Sequence, residues 1–322
     1  MSSFGVGRVS SLFVYPMSFD EFLTATGQGG LLRTKRNSSP TNPLPEAFYN
    51  RLVEAFRSYM LVGGMLEAVA TYTETGSYRY SSDIVSEIIQ GYQDDFAKYG
   101  AKANPLLLRQ TLISVAHQAG AKFVYSRVEG QYRSAEVKVA LEMLKDAGLI
   151  IPTYHTDANG VPLGAEINER VVKYLIHDTG VLLGILGIDD DIDDSIKEMM
   201  VADSINLVDK GHVAEMMAGL ELIKYSSPQK RHQLYYWQNM NKGTCAEVDY
   251  VIARSGSIVP IEVKSGVKGS MSSMYSLMRN PQKHIEMGIR CSLENFGTFE
   301  SPDGKKIDII PLYAISNLFA EK

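Results

Sequence analysis

The stretch AEVDYVIARSGSIVPIEVKSG, residues 246–266, places Glu247, Asp249, Glu262 and Lys264 in what otherwise reads as a β-hairpin built for a core. Successive side chains of a strand point to opposite faces. Glu247 and Asp249 therefore share one face of the first strand, with Val248, Tyr250 and Ile252 on the other. Glu262 and Lys264 share a face of the second strand, with Ile261 and Val263 opposite. If the two strands pair, Asp249, Glu262 and Lys264 converge. Two carboxylates close together in a low dielectric repel unless a cation offsets them. Mg²⁺ suits such a pair, because it takes oxygen ligands and keeps several waters for chemistry. A lysine beside it can orient a water and stabilise charge on a phosphate. Glu215, in the helical stretch HVAEMM, could complete the metal shell, and Glu247 is the alternative to Asp249 as first ligand. The same residues also read as a salt-bridge cluster on a half-exposed sheet.

The surrounding elements must position these groups. From residue 207 the order is helix (VDKGHVAEMMAGLELIKY), strand (QLYYWQN), strand (EVDYVIAR), strand (IVPIEVKS), helix (SSMYSLMRNPQKHIEMG) and strand (IDIIPLYAI), or αβββαβ. Upstream, NPLLLRQTLISVAHQAG reads as a helix with Asn104 as N-cap and Pro105 at the first helical position. RSAEVKVALEMLKDAGLI reads as another helix, with Ser134 as N-cap, an inner stripe of Val137, Ala140, Leu141 and Leu144, and Gly148 as its stop. Two strands around a turn at Asn159-Gly160 follow. Helices followed by a β-hairpin are the order of a winged helix-turn-helix. At the front, Ser18 and Glu21 form a capping-box pattern, residues 33–45 read as a polar loop, and Gly63-Gly64 interrupts a helix that opens at Pro45. The chain divides into 1–45, 46–168 and 169–322. The fold class expected is α/β in its α+β form, a helical, winged-helix-like region followed by an αβββαβ domain.

A length of 322 residues is ample for real cores. Hydrophobic residues make up 45% and charged residues 21%, with a net charge of −5. No global basic field advertises a nucleic-acid partner, so any such site must be a local patch. Lys224, Lys230 and Arg231 cluster before the first strand of the αβββαβ unit, and Lys138 lies on the outward side of the winged-helix recognition segment. These four are the candidate phosphate contacts. Lys224, Lys230 and Arg231 also suit the C-terminus of a helix, where cations are favoured. The two cysteines, Cys245 and Cys291, form no CxxC pair, which argues against a zinc site or a disulfide framework and for a reducing cytoplasm. No signal peptide and no apolar run of membrane-spanning length is present. The acidic stretch 189–195 fails the EF-hand pattern, since Asp194 and Met200 stand where glycine and glutamate are required.

Asp249-(x)12-Glu262-x-Lys264 after a helical Glu215, on this order of elements, resembles the PD-(D/E)xK nuclease superfamily. The resemblance implies a restriction-endonuclease-like fold, Asp249, Glu262 and Glu215 as metal ligands, and Lys264 as the catalytic lysine. Over nearly the whole chain, VGRVSSLFVYPMSFDEFL, YMLVGGMLEAV, DDFAKY, ALEMLKDAGLI, HDTGVLLGILG and AEVDYVI…PIEVKSG resemble a group of prokaryotic AAA+ ATPases. These carry a domain of unknown function with a nuclease-like end after the ATPase module. That family's ATP site would lie upstream of VGRV. No G-x-x-x-x-G-K-[ST] loop is present to hold phosphates. Gly304-Lys305 reads as a hairpin turn; the resemblance implies residues 1–45 as a remnant of the ATPase lid or linker, with Arg8 left from a sensor region. The resemblance thus implies the C-terminal portion of such a protein, with no ATPase activity of its own. Two functions follow. One is a Mg²⁺-dependent phosphodiesterase acting on DNA or RNA. The other is a non-catalytic module that binds nucleic acid, a protein partner or a separate ATPase.

Overall fold

The computed structural model describes residues 10–98, 104–187, 194, 210–239, 246–266 and 269–319. Arg8, Cys245, Met200 and, apart from Asp194, the acidic stretch 189–195 lie outside the described residues.

Helices dominate the first half: α1 (Phe19–Ala25), α2 (Gly29–Arg36), α3 (Glu46–Val62), α4 (Leu66–Thr75), α5 (Tyr78–Lys98), α6 (Pro105–His117) and α7 (Ser134–Asp146). The local signals hold at several ends. Ser18 and Glu21 form the reciprocal capping box, and Asn104 accepts the Leu106 N–H at 2.9 Å. α3 stops at Gly63, whose φ of +78° favours glycine. The N-cap of α7 is Arg133 rather than Ser134. The stripe of Val137, Ala140, Leu141 and Leu144 is buried as its spacing predicts. Residues 33–36, expected in a loop, are the last turn of α2. Lys35 there is buried and pairs with Asp20 of α1, an anchor that polarity alone does not reveal.

Two sheets follow. Strand β1 (Ile150–Thr156) pairs antiparallel with β2 (Ile167–Ile176). The return arm of this hairpin is therefore the run expected to open the third part of the chain, and the boundary drawn at 168/169 falls within β2. After α8 (Thr179–Ile185) and α9 (Lys210–Lys224), β3 (Leu234–Gln238) joins β1 in parallel, and β4 (Glu247–Val248) completes a sheet of order β2-β1-β3-β4. The chain then changes sheets. β5 (Tyr250–Arg254) and β6 (Ser257–Val263) form an antiparallel hairpin around Ser255 and Gly256, both at positive φ. They open a second sheet of order β5-β6-β7-β9-β8. Helix α10 (Ser272–Arg279) crosses from β6 to the parallel β7 (Met287–Ser292), and the hairpin of β8 (Gly297–Glu300) and β9 (Lys306–Pro311) forms the far edge. The fold is thus mixed α and β, helices first and sheets after; four strands lie between α9 and α10 and three follow α10, where an αβββαβ order was expected. The strand expected at 307–315 is β9, which ends at Pro311, while β7 and β8 stand before it where no strand was expected. Asn280-Pro281 ends α10 early, and Arg290 breaks the apolar run that would have marked β7 as a buried strand.

One apolar core is shared by the helices, α9 and both sheets, from Phe19, Phe56 and Tyr59 through Leu175 and Met216 to Ile261 and Ile289. A smaller core lies beneath α10, with Trp237, Val248, Met274 and Leu277.

Candidate functional site

Asp249 occupies the single position between β4 and β5, where the strand leaves the first sheet for the second. This placement aims its carboxylate at the neighbouring strand: Oδ2 accepts the Val263 backbone N–H at 2.7 Å. Glu262 and Lys264 lie at the end of β6, and Lys264 Nζ donates to Glu262 Oε1 at 2.7 Å. The Lys264 N–H, bonded to the Cys291 carbonyl at 2.7 Å, fixes the backbone there. The pairing Tyr250↔Ile261 sets the register that brings Asp249 beside Val263. Asp249, Glu262 and Lys264 are therefore brought together, as the alternation of faces predicts.

Glu215 and Glu247 are drawn to the same place by a residue that sequence reasoning did not single out. Lys173, on β2, is buried, and its Nζ lies 2.9 Å from Glu215 Oε1 and 2.5 Å from Glu247 Oε1. The ammonium also sits 4.9 Å from the centre of the Tyr236 ring. A lone cation within the apolar run VVKYLIH was the available signal, since a lysine is almost never fully buried unless paired. Glu247, the alternative first ligand, thus binds a lysine, while Asp249 faces Glu262.

The electrostatics report a surplus of acid. Burial raises Glu262, and the neighbouring Asp249 carboxylate adds to the effect, so that it titrates at about 7 despite the Lys264 bond. Burial raises Glu215 to about 8; Lys173 pulls it down, while Asp249 and Glu247 push it up. Asp249 is also raised by burial, against the opposing effects of the Val263 N–H, Lys173 and Lys264. Lys173 is depressed by burial but more strongly raised by Glu215 and Glu247, so its net shift is upward. Glu262 Oε2 is buried and has no hydrogen-bond partner. An unpartnered buried carboxylate oxygen calls for a proton or a cation.

The fit to a metal is therefore specific. Among the described residues, no group of three or more His, Cys, Asp or Glu side chains stands ready to hold an ion. The three-acid shell expected from Glu215, Asp249 and Glu262 is thus not assembled, because Glu215 is turned to Lys173. Asp249 and Glu262, with the free Oε2, do suit an ion that needs only one or two carboxylates and keeps its waters, as Mg²⁺ does.

The expected phosphate contacts fare differently. Lys224 is a correction: its side chain is 3% exposed. Its ammonium donates to Tyr59 Oη at 2.6 Å and to the Met17 carbonyl at 3.0 Å. It ties α9 to the front of the chain and offers nothing to a phosphate backbone. Lys230 is exposed. Arg231 donates to the Lys145 carbonyl at the end of α7 and pairs with Asp146 at 3.4 Å, a helix C-terminal contact. Lys138 is exposed and lines a groove with Arg170 in which Asp157, Glu166 and Glu169 supply more acid than base. A separate groove of about 1050 Å³, bordered by Leu12, Val14, Leu66 and Tyr154, contains none of Asp249, Glu262 or Lys264. No helix among the described residues is long and apolar enough to cross a membrane.

Residues 210–315 match the family model described as Domain of unknown function (DUF4143), and residues 53–192 match Domain of unknown function (DUF8612). Comparison with curated proteins and with solved structures gave no match. Glu215, Glu247, Asp249, Glu262 and Lys264 fall inside the first of these matches and Lys173 inside the second, so the charged cluster joins the two matched regions.

Proposed function

We propose that the protein is a divalent-cation-dependent phosphodiesterase of the PD-(D/E)xK nuclease type, acting on DNA or RNA. We read it as the C-terminal portion of an AAA+ ATPase-type protein. The observation that carries this reading is the convergence of Asp249, Glu262 and Lys264 around the unpartnered Glu262 Oε2. The antiparallel pairing of β5 with β6, which sets these residues on one hairpin, supports it.

Asp249 and Glu262 would hold a Mg²⁺ ion. When bound, such an ion lowers the pKa of its water and neutralises charge on the phosphate. Asp249 keeps its position through the Val263 N–H, and Glu262 keeps Oε2 free by giving Oε1 to Lys264. Lys264, with its side chain 21% exposed, reaches further outward than Glu262 at 6%. It orients the attacking water and stabilises the negative charge that grows on the phosphate oxygens. Cys291, buried and free, suits a reducing cytoplasm.

A second reading is a binding module without catalysis, with nucleic acid, a protein or a separate ATPase as partner. It is favoured by the two carboxylates that Lys173 already holds and by the burial of Lys224. The deciding assay is cleavage of single- and double-stranded DNA and RNA in Mg²⁺ or Mn²⁺, with Lys264→Ala as control. Cleavage that needs the metal, with a loss of about 10²–10³-fold in the variant, supports the enzyme. No cleavage of any substrate beside intact binding supports the module.

A further inference from the structure

Lys173 has no part in the hydrolysis proposed above, yet it is the most enclosed charged group of the cluster, with a side chain 1% exposed. It bridges one oxygen of Glu215 and one of Glu247, at 2.9 and 2.5 Å, as a divalent ion bridges two carboxylates. The Tyr236 ring takes up another side of the ammonium. We propose that Lys173 stands in the place of a second cation, so that the site takes one divalent ion, at Asp249 and Glu262, and not two. The metal in this statement rests on the phosphodiesterase reading; the role of Lys173 is additional to it.

The charges support a capacity of one. Glu215, Glu247, Asp249 and Glu262 face two ammonium groups, Lys173 and Lys264. When all are ionised, two negative charges remain, the charge that one divalent cation offsets. A second ion would reverse the sign of a cluster in which Lys173, Glu215 and Glu262 are buried, which is unfavourable where screening by water is weak. The position is also marked. The unpartnered oxygen belongs to Glu262, while Glu215 and Glu247 already have theirs in Lys173. A lysine is a fixed cation: it cannot be chelated or exchanged. The carboxylates of α9 and β4 are thereby removed from metal binding and serve to hold β2, α9 and β4 around the ion site.

The test counts bound ions on the full chain with Mn²⁺, by calorimetry and by electron paramagnetic resonance of the free ion. The proteins are the wild type, Asp249→Ala, Glu215→Gln, Lys173→Met and Lys173→Met/Glu215→Gln. One ion is expected in the wild type and none in Asp249→Ala. One ion of unchanged affinity is expected in Glu215→Gln, because Glu215 is not a ligand while Lys173 is present. Two are expected in Lys173→Met, falling back to one in the double variant. Two ions in the wild type, loss of the ion in Glu215→Gln, or a single ion in a folded Lys173→Met would overturn the proposal while leaving the phosphodiesterase reading intact. No ion in the wild type would overturn both. The wild-type and Glu215→Gln counts keep the test decisive if Lys173→Met does not fold.

Discussion

Replacing Glu262 with glutamine should stabilise the metal-free protein, and only at neutral and alkaline pH. Glu262 is buried beside Asp249 and titrates at about 7, against 4.5 for an ordinary glutamate. An acid whose folded pKa is raised binds its proton more tightly in the native state. Its stabilising contribution is complete below the unfolded value and is lost as pH rises through the folded one. Between 4.5 and about 7 the wild type therefore loses about 1.4 kcal/mol per pH unit from this one group, about 3 kcal/mol in all. Glutamine keeps the shape and an oxygen for the Lys264 bond, but carries no proton to lose. The assay is denaturant unfolding in EDTA at several pH values. The two proteins should be about equally stable near pH 4, and Glu262→Gln should be ahead by about 3 kcal/mol above about pH 8. Divalent cation should close the gap by binding only the wild type. A variant less stable than the wild type at high pH, or a difference that does not change with pH, would refute the argument that an uncompensated acid is buried here.

Two further substitutions test the frame around the site by thermal or denaturant unfolding. Gly63→Ala should destabilise the protein by more than about 2 kcal/mol, because φ is +78° and a Cβ would stand 2.2 Å from Asp178 Oδ1 and 2.8 Å from the Gly180 nitrogen. Asp178→Ala should cost about 2–4 kcal/mol. It removes the cap of α8 at the Val181 N–H and leaves the Gly64 N–H, now bonded at 2.6 Å, without an acceptor. Asp178→Asn, which keeps an acceptor oxygen, should lose less.

How much of this could be read without the fold depends on the range of the interaction. The capping box at Ser18, the Asn104 cap, the stop at Gly63 and the buried stripe of α7 are decided within a few residues, and sequence determined them. So did the convergence of Asp249, Glu262 and Lys264. A two-residue turn at Ser255-Gly256 and the alternation of faces leave little freedom in how that hairpin pairs. Tertiary structure decided the rest. Lys173 lies 42 residues from Glu215 and 74 from Glu247. No local pattern records that β2 and β4 share a sheet, or that α9 lays Glu215 against them. Lys224 looked like surface charge because Lys230 and Arg231 follow it closely, but it is buried by Tyr59 and Met17, which arrive from the other end of the chain. Pleat and turn geometry, local properties, chose which acids share a face. The packing of distant strands chose which of those acids already has a cation, and so which oxygen is left for a ligand.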